Sequence, residues 1–411
     1  MSPALVYRFA LPLALCCALA PVRAARAEAQ PAATAASSVS AETVRDPVLR
    51  LTQWQGRGES AILDWVLANS GALKGETLRG EFRVAYTITP AEGWWEKAGS
   101  GKLAWHDASA NQLHLRVFVE DAADGRLVPA FSVAAFLVDM SGNEQPLPVS
   151  FGWYPLINAH GGNFAIADGA YRLRVRIAVP EPRDLQPALT DEQMAQGEGL
   201  ARAIVAEFPP ITIKQSDVML VPLATEAAAA KEAELLKLCN AALSASITAL
   251  WQQSASGEEK ADGNYFVAYA LEPASSAVLA RLHRKAPLDF GKENARLHVL
   301  VRDSRTGRLI PFLAPQASVE TPGELHDKGP LAPMRHPWLD LYGRYLRLER
   351  KVSYRLWVTL EPPDFRRWGR PSERFALPAK VEFEDMSLKA PGKNPEEQRA
   401  EKTKAESGTA R

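Results

Sequence analysis

Apolar and polar residues alternate with a period of two through several short stretches of the chain. In QLHLRVFVED, Leu113, Leu115, Val117 and Val119 fall on one face, and His114, Arg116 and Phe118 on the other. That is the pattern of a strand with one face in a core. Tyr171, Leu173, Val175 and Ile177 alternate with Arg172, Arg174 and Arg176 in the same way. The pattern predicts antiparallel strands with one wet face. On that reading His114, and His298 in a related stretch, are solvated surface residues.

The stretches come in pairs. RVFVEDAADGRLVPAF (116–131) is echoed by HVLVRDSRTGRLIPFL (298–313), GEFRVAYTITP (80–90) by GNYFVAYALEP (263–273), and YRLRVRI (171–177) by YRLWVTL (354–360). All three pairs keep one offset to within a residue. This is the mark of a duplicated domain rather than a short-period solenoid. Asp124-Gly125 and Thr306-Gly307 stand where a strand ends, and glycine accepts the positive φ of a tight turn. The sequence predicts that RLVP and RLIP begin the return strand of a hairpin, with Pro129 and Pro311 at a strand edge or bulge.

Ahead of each copy the period changes. The stretches over 45–73 and 223–253 are read as helical lead-ins; the second is rich in Ala, Glu, Lys and Leu, with Ala, Leu and Ile recurring at three- and four-residue steps. LTDEQMAQGEGLARAIVAEF (189–208) is expected to add a helical insertion to the first copy only. The implied plan is a signal peptide over 1–27, a flexible linker over 28–44, a first sandwich domain with helical lead-in and insertion over 45–215, a second with helical lead-in over 216–389, and a disordered tail over 390–411. The apolar run near the N-terminus is shorter than the roughly 18–20 residues of a membrane span, and the expected mature chain has no transmembrane segment. Leu13-Ala14-Leu15-Cys16 resembles a lipidation box, with Leu15 where a small residue is wanted. Once the signal is removed, Cys239 is the sole thiol, so no intrachain disulfide forms; a buried apolar role is expected for it.

Composition narrows the function. The chain has 48 basic and 48 acidic side chains, with no global field to gather nucleic acid. It holds no Gly-rich phosphate loop, nucleophile elbow or zinc-protease helix motif, so no enzyme is expected. The informative stretch is GPLAPMRHPWLDLYGRYLRL (329–348), where Met334 and His336 alternate and so share a face of an extended segment. Soft sulfur with imidazole is ligand chemistry that favours copper, and imidazole also serves iron. The bland reading makes Met334 a core filler and His336 a loop cap. The matching stretch of the first copy sets Tyr154-Pro155 against His336-Pro337, with His160 nearby. The arginine faces at 172, 174 and 176 and at 302, 305 and 308 read as solvated charge.

The order of VAY, HVLVRD, GRLIPFL, the Pro-Met step, Tyr342-Gly343, YRLWVTLEPP and VEFED resembles the periplasmic high-affinity iron-transport protein family. It covers residues 263–386 well and 80–182 more weakly. The resemblance implies copper-binding, immunoglobulin-like antiparallel sandwiches tied to iron uptake. Its metal site implies a Met in the Pro-Met step, a His before Tyr-Gly, a His after the EPP strand and an early carboxylate. Met334 fits the first and Glu272 lies near the last. Leu341 stands where a His is wanted, and EPPDFRRWGRP has none. The expectation is an all-β chain of two tandem immunoglobulin-like antiparallel β-sandwich domains with helical additions. Candidate metal ligands for a copper or iron ion are Met334, His336, His160, Glu272 and His283, with His326 as another third ligand. Two functions follow: a periplasmic accessory of iron or copper uptake that binds metal or assists a membrane iron permease, or a metal-free module that binds another envelope protein.

Overall fold

The computed structural model describes residues 47–69, 73–99, 102–128, 132–180, 200–218, 225–273, 293–336, 338–369 and 374–388. The expected signal, linker and tail, Cys16, His283 and Pro129 lie outside them. The strands of the first copy are β1 Leu73–Arg79, β2 Phe82–Pro90, β3 Trp94–Lys97, β4 Leu103–His106, β5 Leu113–Asp121, β6 Ser132–Asp139, β7 Glu144–Leu147, β8 Ser150–Trp153, β9 Ala159–Phe164, β10 Gly169–Pro180, β11 Leu200–Glu207 and β12 Ile211–Ile213. Those of the second are β13 Ser256–Asp262, β14 Tyr265–Pro273, β15 Ala295–Asp303, β16 Gln316–Thr321, β17 Glu324–Pro330, β18 Ala332–His336, β19 Leu339–Leu346, β20 Tyr354–Leu360, β21 Arg366–Trp368 and β22 Ala379–Met386.

The second sandwich packs the sheet β13-β14-β15-β19-β18 on the sheet β17-β16-β20-β22. The first packs β1-β2-β5-β9-β8 on β11-β10-β6-β7, with β12 also paired to β10. The alternating apolar residues close both cores: Val84, Ile88, Leu115 and Val117 meet Leu173, Val175 and Ile177 in one, and Val267, Leu297 and Val299 meet Leu356, Val358 and Phe383 in the other. The all-β expectation therefore holds. Burial of such strand faces is the main favourable term in folding, at about 25 cal/mol per Å² of apolar surface.

The wet face holds for β10, where Arg172 and Arg176 are exposed. It fails for β5 and β15, because helices cover them. Helix α1 Pro47–Asn69 places Ile62, Leu63 and Val66 on Ala85 and Phe118. After a short α2, Gln215–Val218, whose Val218 still packs in the first core, helix α3 Glu226–Gln253 lays Leu243, Ile247 and Leu250 on Ala268, Ala270 and Leu300. Thr225 caps α3 by accepting from the N–H of Ala228 at 3.1 Å, a bond of the kind that satisfies an orphan helix N–H. The α3 helix is long and apolar enough to cross a membrane by length and composition; here that apolar face lies on the sheet. His114, under Tyr154 and Trp368, and His298, beside His336, are also buried, against the expectation of surface histidines. Arg302 is buried as well.

Two further expectations are corrected. Residues 200–207 form strand β11 against β10 rather than a helix; Ile204 and Ala206 face the first core while Ala203 and Val205 are exposed, the period of two of a strand. RLVP and RLIP make single bridges, Glu120 to Leu127 and Arg302 to Leu309, after which the chain leaves for the opposite sheet as β6 or β16. The turn chemistry is as expected, with φ of +81° at Gly125 and +70° at Gly307.

The two copies exchange parts. Strand β21 of the second copy pairs in parallel with β8 of the first and antiparallel with β3, so the β3–β4 hairpin joins its own sheet through a strand of the other copy. In return Trp153, at the end of β8, enters the second core, stacked on Phe365 and edge-on to Phe375.

Candidate functional site

The outward face of β14, β15, β18 and β19 carries a cluster of polar side chains beneath the helices. Register sets Glu272 opposite Arg296, and Gly343 opposite His298. A Cβ on Gly343 would fall 2.8 Å from the Met334 sulfur, so the glycine lets the thioether lie down on the sheet across from His298. His336 follows two residues after Met334 on the same face, its ring 5.6 Å from that of His298 at 86°. Trp338 stands edge-on to His336 at 4.3 Å. The indole N–H of Trp338 donates to the Ser246 carbonyl of α3 at 3.0 Å, and its own carbonyl accepts from Gln55 of α1 at 2.8 Å. The helices thus close the roof.

The cluster is dry and only partly satisfied. Glu272, Arg296 and His298 have no exposed surface and His336 only 1%. His298 Nε2 and Glu272 Oε2 are 2.9 Å apart. An ionised carboxylate only accepts, so the ring proton sits on Nε2 and the Nδ1 lone pair is free. Among the described residues that Nδ1, both nitrogens of His336 and all three guanidinium nitrogens of Arg296 have no hydrogen-bond partner. Burial first, and then the neighbouring His298 ring and Arg296 guanidinium, which oppose a second positive charge, push His336 down to about 2. Burial also lowers His298, against the pull of its Glu272 bond. Both imidazoles are therefore neutral, the form that binds metal.

The first copy has the same face with different contents. Following the ladders, His114 takes the place of Arg296, Arg116 that of His298, Thr89 that of Glu272, Gly152 that of Met334 and Ala159 that of Leu341. His114 is fully bonded, Nδ1 to Asn163 at 2.8 Å and Nε2 to the Tyr154 hydroxyl at 2.9 Å, and burial pushes it down to about 4. The space that a side chain at 152 would need holds an indole from the other copy: a Cβ on Gly152 would lie 2.4 Å from Trp368 Nε1. Trp368 also sits 4.3 Å from His114 and stacks on Tyr154 at 5.9 Å and 8°. The first pocket is plugged.

Of the candidate ligands, the fold brings together Met334, His336 and Glu272. His160 is excluded from this group: it lies in the first sandwich, opposite Val117 on the inward-facing register. His326 is on β17 of the far sheet, its Nε2 2.6 Å from the Arg347 carbonyl. His298 and Arg296 were missed. The signal for them was present in the apolar outward positions Ala268, Ala270 and Leu300, which a wet face would not carry. Among the described residues no group of three His, Cys, Asp or Glu is placed to hold a metal; the donor set is two imidazoles and a thioether, with Glu272 orienting one ring. That set fits a soft, low-coordinate ion.

No protein-family model matches the chain, and no curated protein matches it. Solved structures similar to part of it include a copper-bound variant of FetP from uropathogenic Escherichia coli strain F11, at 19% identity and a TM-score of 0.25, covering 34% of this chain and 98% of that one. The copper-reconstituted P19 protein from Campylobacter jejuni matches at 16% identity and a TM-score of 0.24, covering 35% of this chain and 100% of that one. A DUF4426 family protein from Pseudomonas aeruginosa matches at 16% identity and a TM-score of 0.23, covering 34% and 97%.

Proposed function

We propose that the second sandwich binds a transition-metal ion, copper before iron, and that the chain is a non-enzymatic accessory of metal uptake in the cell envelope, working beside a membrane permease. The observation that carries this reading is the pair of buried neutral imidazoles with unpaired nitrogens beside a thioether. Leaving such groups unsatisfied costs about 1–3 kcal/mol each, a cost that a bound ion removes. Met334, His336 and His298 would hold the ion, and Glu272 would fix the tautomer of His298. Soft sulfur and imidazole would favour Cu(I) and tolerate Cu(II).

The test is calorimetric titration with copper, Fe(II) and Zn(II), with metal analysis after dialysis. One equivalent of copper is expected per chain, with affinity falling about tenfold or more in the Met334→Ala/His336→Ala protein. The plugged first pocket favours a second reading, a metal-free module in which the joined sandwiches present a surface to an envelope protein. Absence of copper above background selects it.

A further inference from the structure

Arg296 is the least satisfied side chain in the cluster. It has no exposed surface, and Nε and both terminal nitrogens lack a hydrogen-bond partner. Its cross-strand neighbours are Glu272 on β14 and Tyr345 on β19, and a Glu272 carboxylate oxygen lies 2.9 Å from His298 Nε2. A buried guanidinium whose N–H groups donate to nothing is expensive even with the Glu272 charge nearby. Beside a metal site it is also misplaced by sign. The buried charges of Arg296 and Glu272 cancel, so a divalent ion held by neutral imidazoles and a thioether would leave its whole charge uncompensated in a dry pocket.

A small anion would give the guanidinium an acceptor and offset one unit of the ion's charge. The guanidinium presents a planar fork of N–H donors whose geometry matches a carboxylate in bidentate fashion. Arg296 lies two residues from His298 on β15 and so on the same face, about 7 Å along the chain at strand rise. One planar oxyanion can therefore meet the guanidinium on one side and the ion on the other.

We infer that Arg296 is the anion-holding arm of the second-sandwich site, so that a divalent metal is bound together with a small planar carboxylate. This deepens the metal reading and rests on it. It also gives the substrate a chemical class: a metal accompanied by a carboxylate, rather than the bare ion.

The test measures Cu(II) affinity by calorimetry in carbonate-free, non-coordinating buffer, with and without sodium formate, for the unaltered protein, Arg296→Met and Arg296→Lys. Formate is expected to tighten copper about tenfold in the unaltered protein, to have no effect in Arg296→Met, and to act more weakly in Arg296→Lys, which keeps the charge and loses the fork. Without formate, Arg296→Met should bind copper at least as tightly as the unaltered protein, because a like charge is gone. Copper binding that is indifferent to formate in the unaltered protein overturns the anion role and leaves the metal site standing. Failure of copper to bind under any condition overturns both. Should Arg296→Met not fold, the formate dependence of the other two proteins decides.

Discussion

At the scale of single residues, the two copies show how one scaffold position is either satisfied or left open. His114 and His336 are both buried imidazoles on equivalent faces; the first makes both of its hydrogen bonds and the second makes none among the described residues. The difference predicts opposite mutational outcomes. His336→Leu should raise the unfolding free energy of the metal-free protein by about 1–3 kcal/mol, since an apolar group of similar shape replaces an unsatisfied one, while removing copper binding. Urea unfolding of both proteins without metal checks it; a loss of stability would show that His336 has a structural partner. For His114, the folded value of about 4 lies below the ordinary 6.5, so between those limits the unfolded chain binds the extra proton. Stability from this group is intact above about pH 6.5 and falls as the pH drops toward 4, by roughly 3 kcal/mol at most. Urea midpoints from pH 7.5 down to 4.5 should fall less steeply in His114→Gln than in the unaltered protein. The sequence made Met334 and His336 legible because they alternate in one strand. It hid His298 and Arg296, whose burial depends on helices that period-two patterning does not report.

At the scale of elements, the repeated strands, their glycine turns and both long helices follow from hydrophobic period and glycine placement, whereas β11 is expected as a helix and forms a strand. What did not follow was the destination of β21. Its three residues lie in a stretch with no strand signature, and its pairing is decided by a groove that only the folded first copy presents. The stretch that by resemblance should supply a histidine instead supplies Trp368 to the other copy. Trp368→Ala should cost about 3–5 kcal/mol as a large core deletion. Gly152→Ala should also destabilise, because its methyl group would meet the indole. The two changes should be non-additive by about 0.5–3 kcal/mol, the coupling expected of groups in contact. A double-mutant cycle on urea unfolding measures the coupling, and strict additivity would mean that Trp368 does not occupy the space over Gly152.

At the scale of the whole molecule, the described residues fall in one compact unit, although the chain reads as two repeats. Trp153 and Trp368 cross in opposite directions, and α1 and α3 lie on the faces of both sandwiches. Each copy on its own would expose the surface left by the missing tryptophan. Thermal unfolding should therefore be a single transition with calorimetric and van't Hoff enthalpies in agreement; two separable transitions would refute the reciprocal interlock. The duplication was visible in sequence because short strand motifs repeat. The interlock was not, because it is written in residues that differ between the copies.

The plug over Gly152 has a consequence for the sense of the molecule. A pair of equal sandwiches related by twofold symmetry has no front or back, and anything it can accept at one end it can accept at the other. Filling one pocket with the neighbour's own indole abolishes that equivalence. The chain acquires a polarity, one face being closed by its own indole, and on the proposed reading a docking partner would have only one correct orientation in which to meet it.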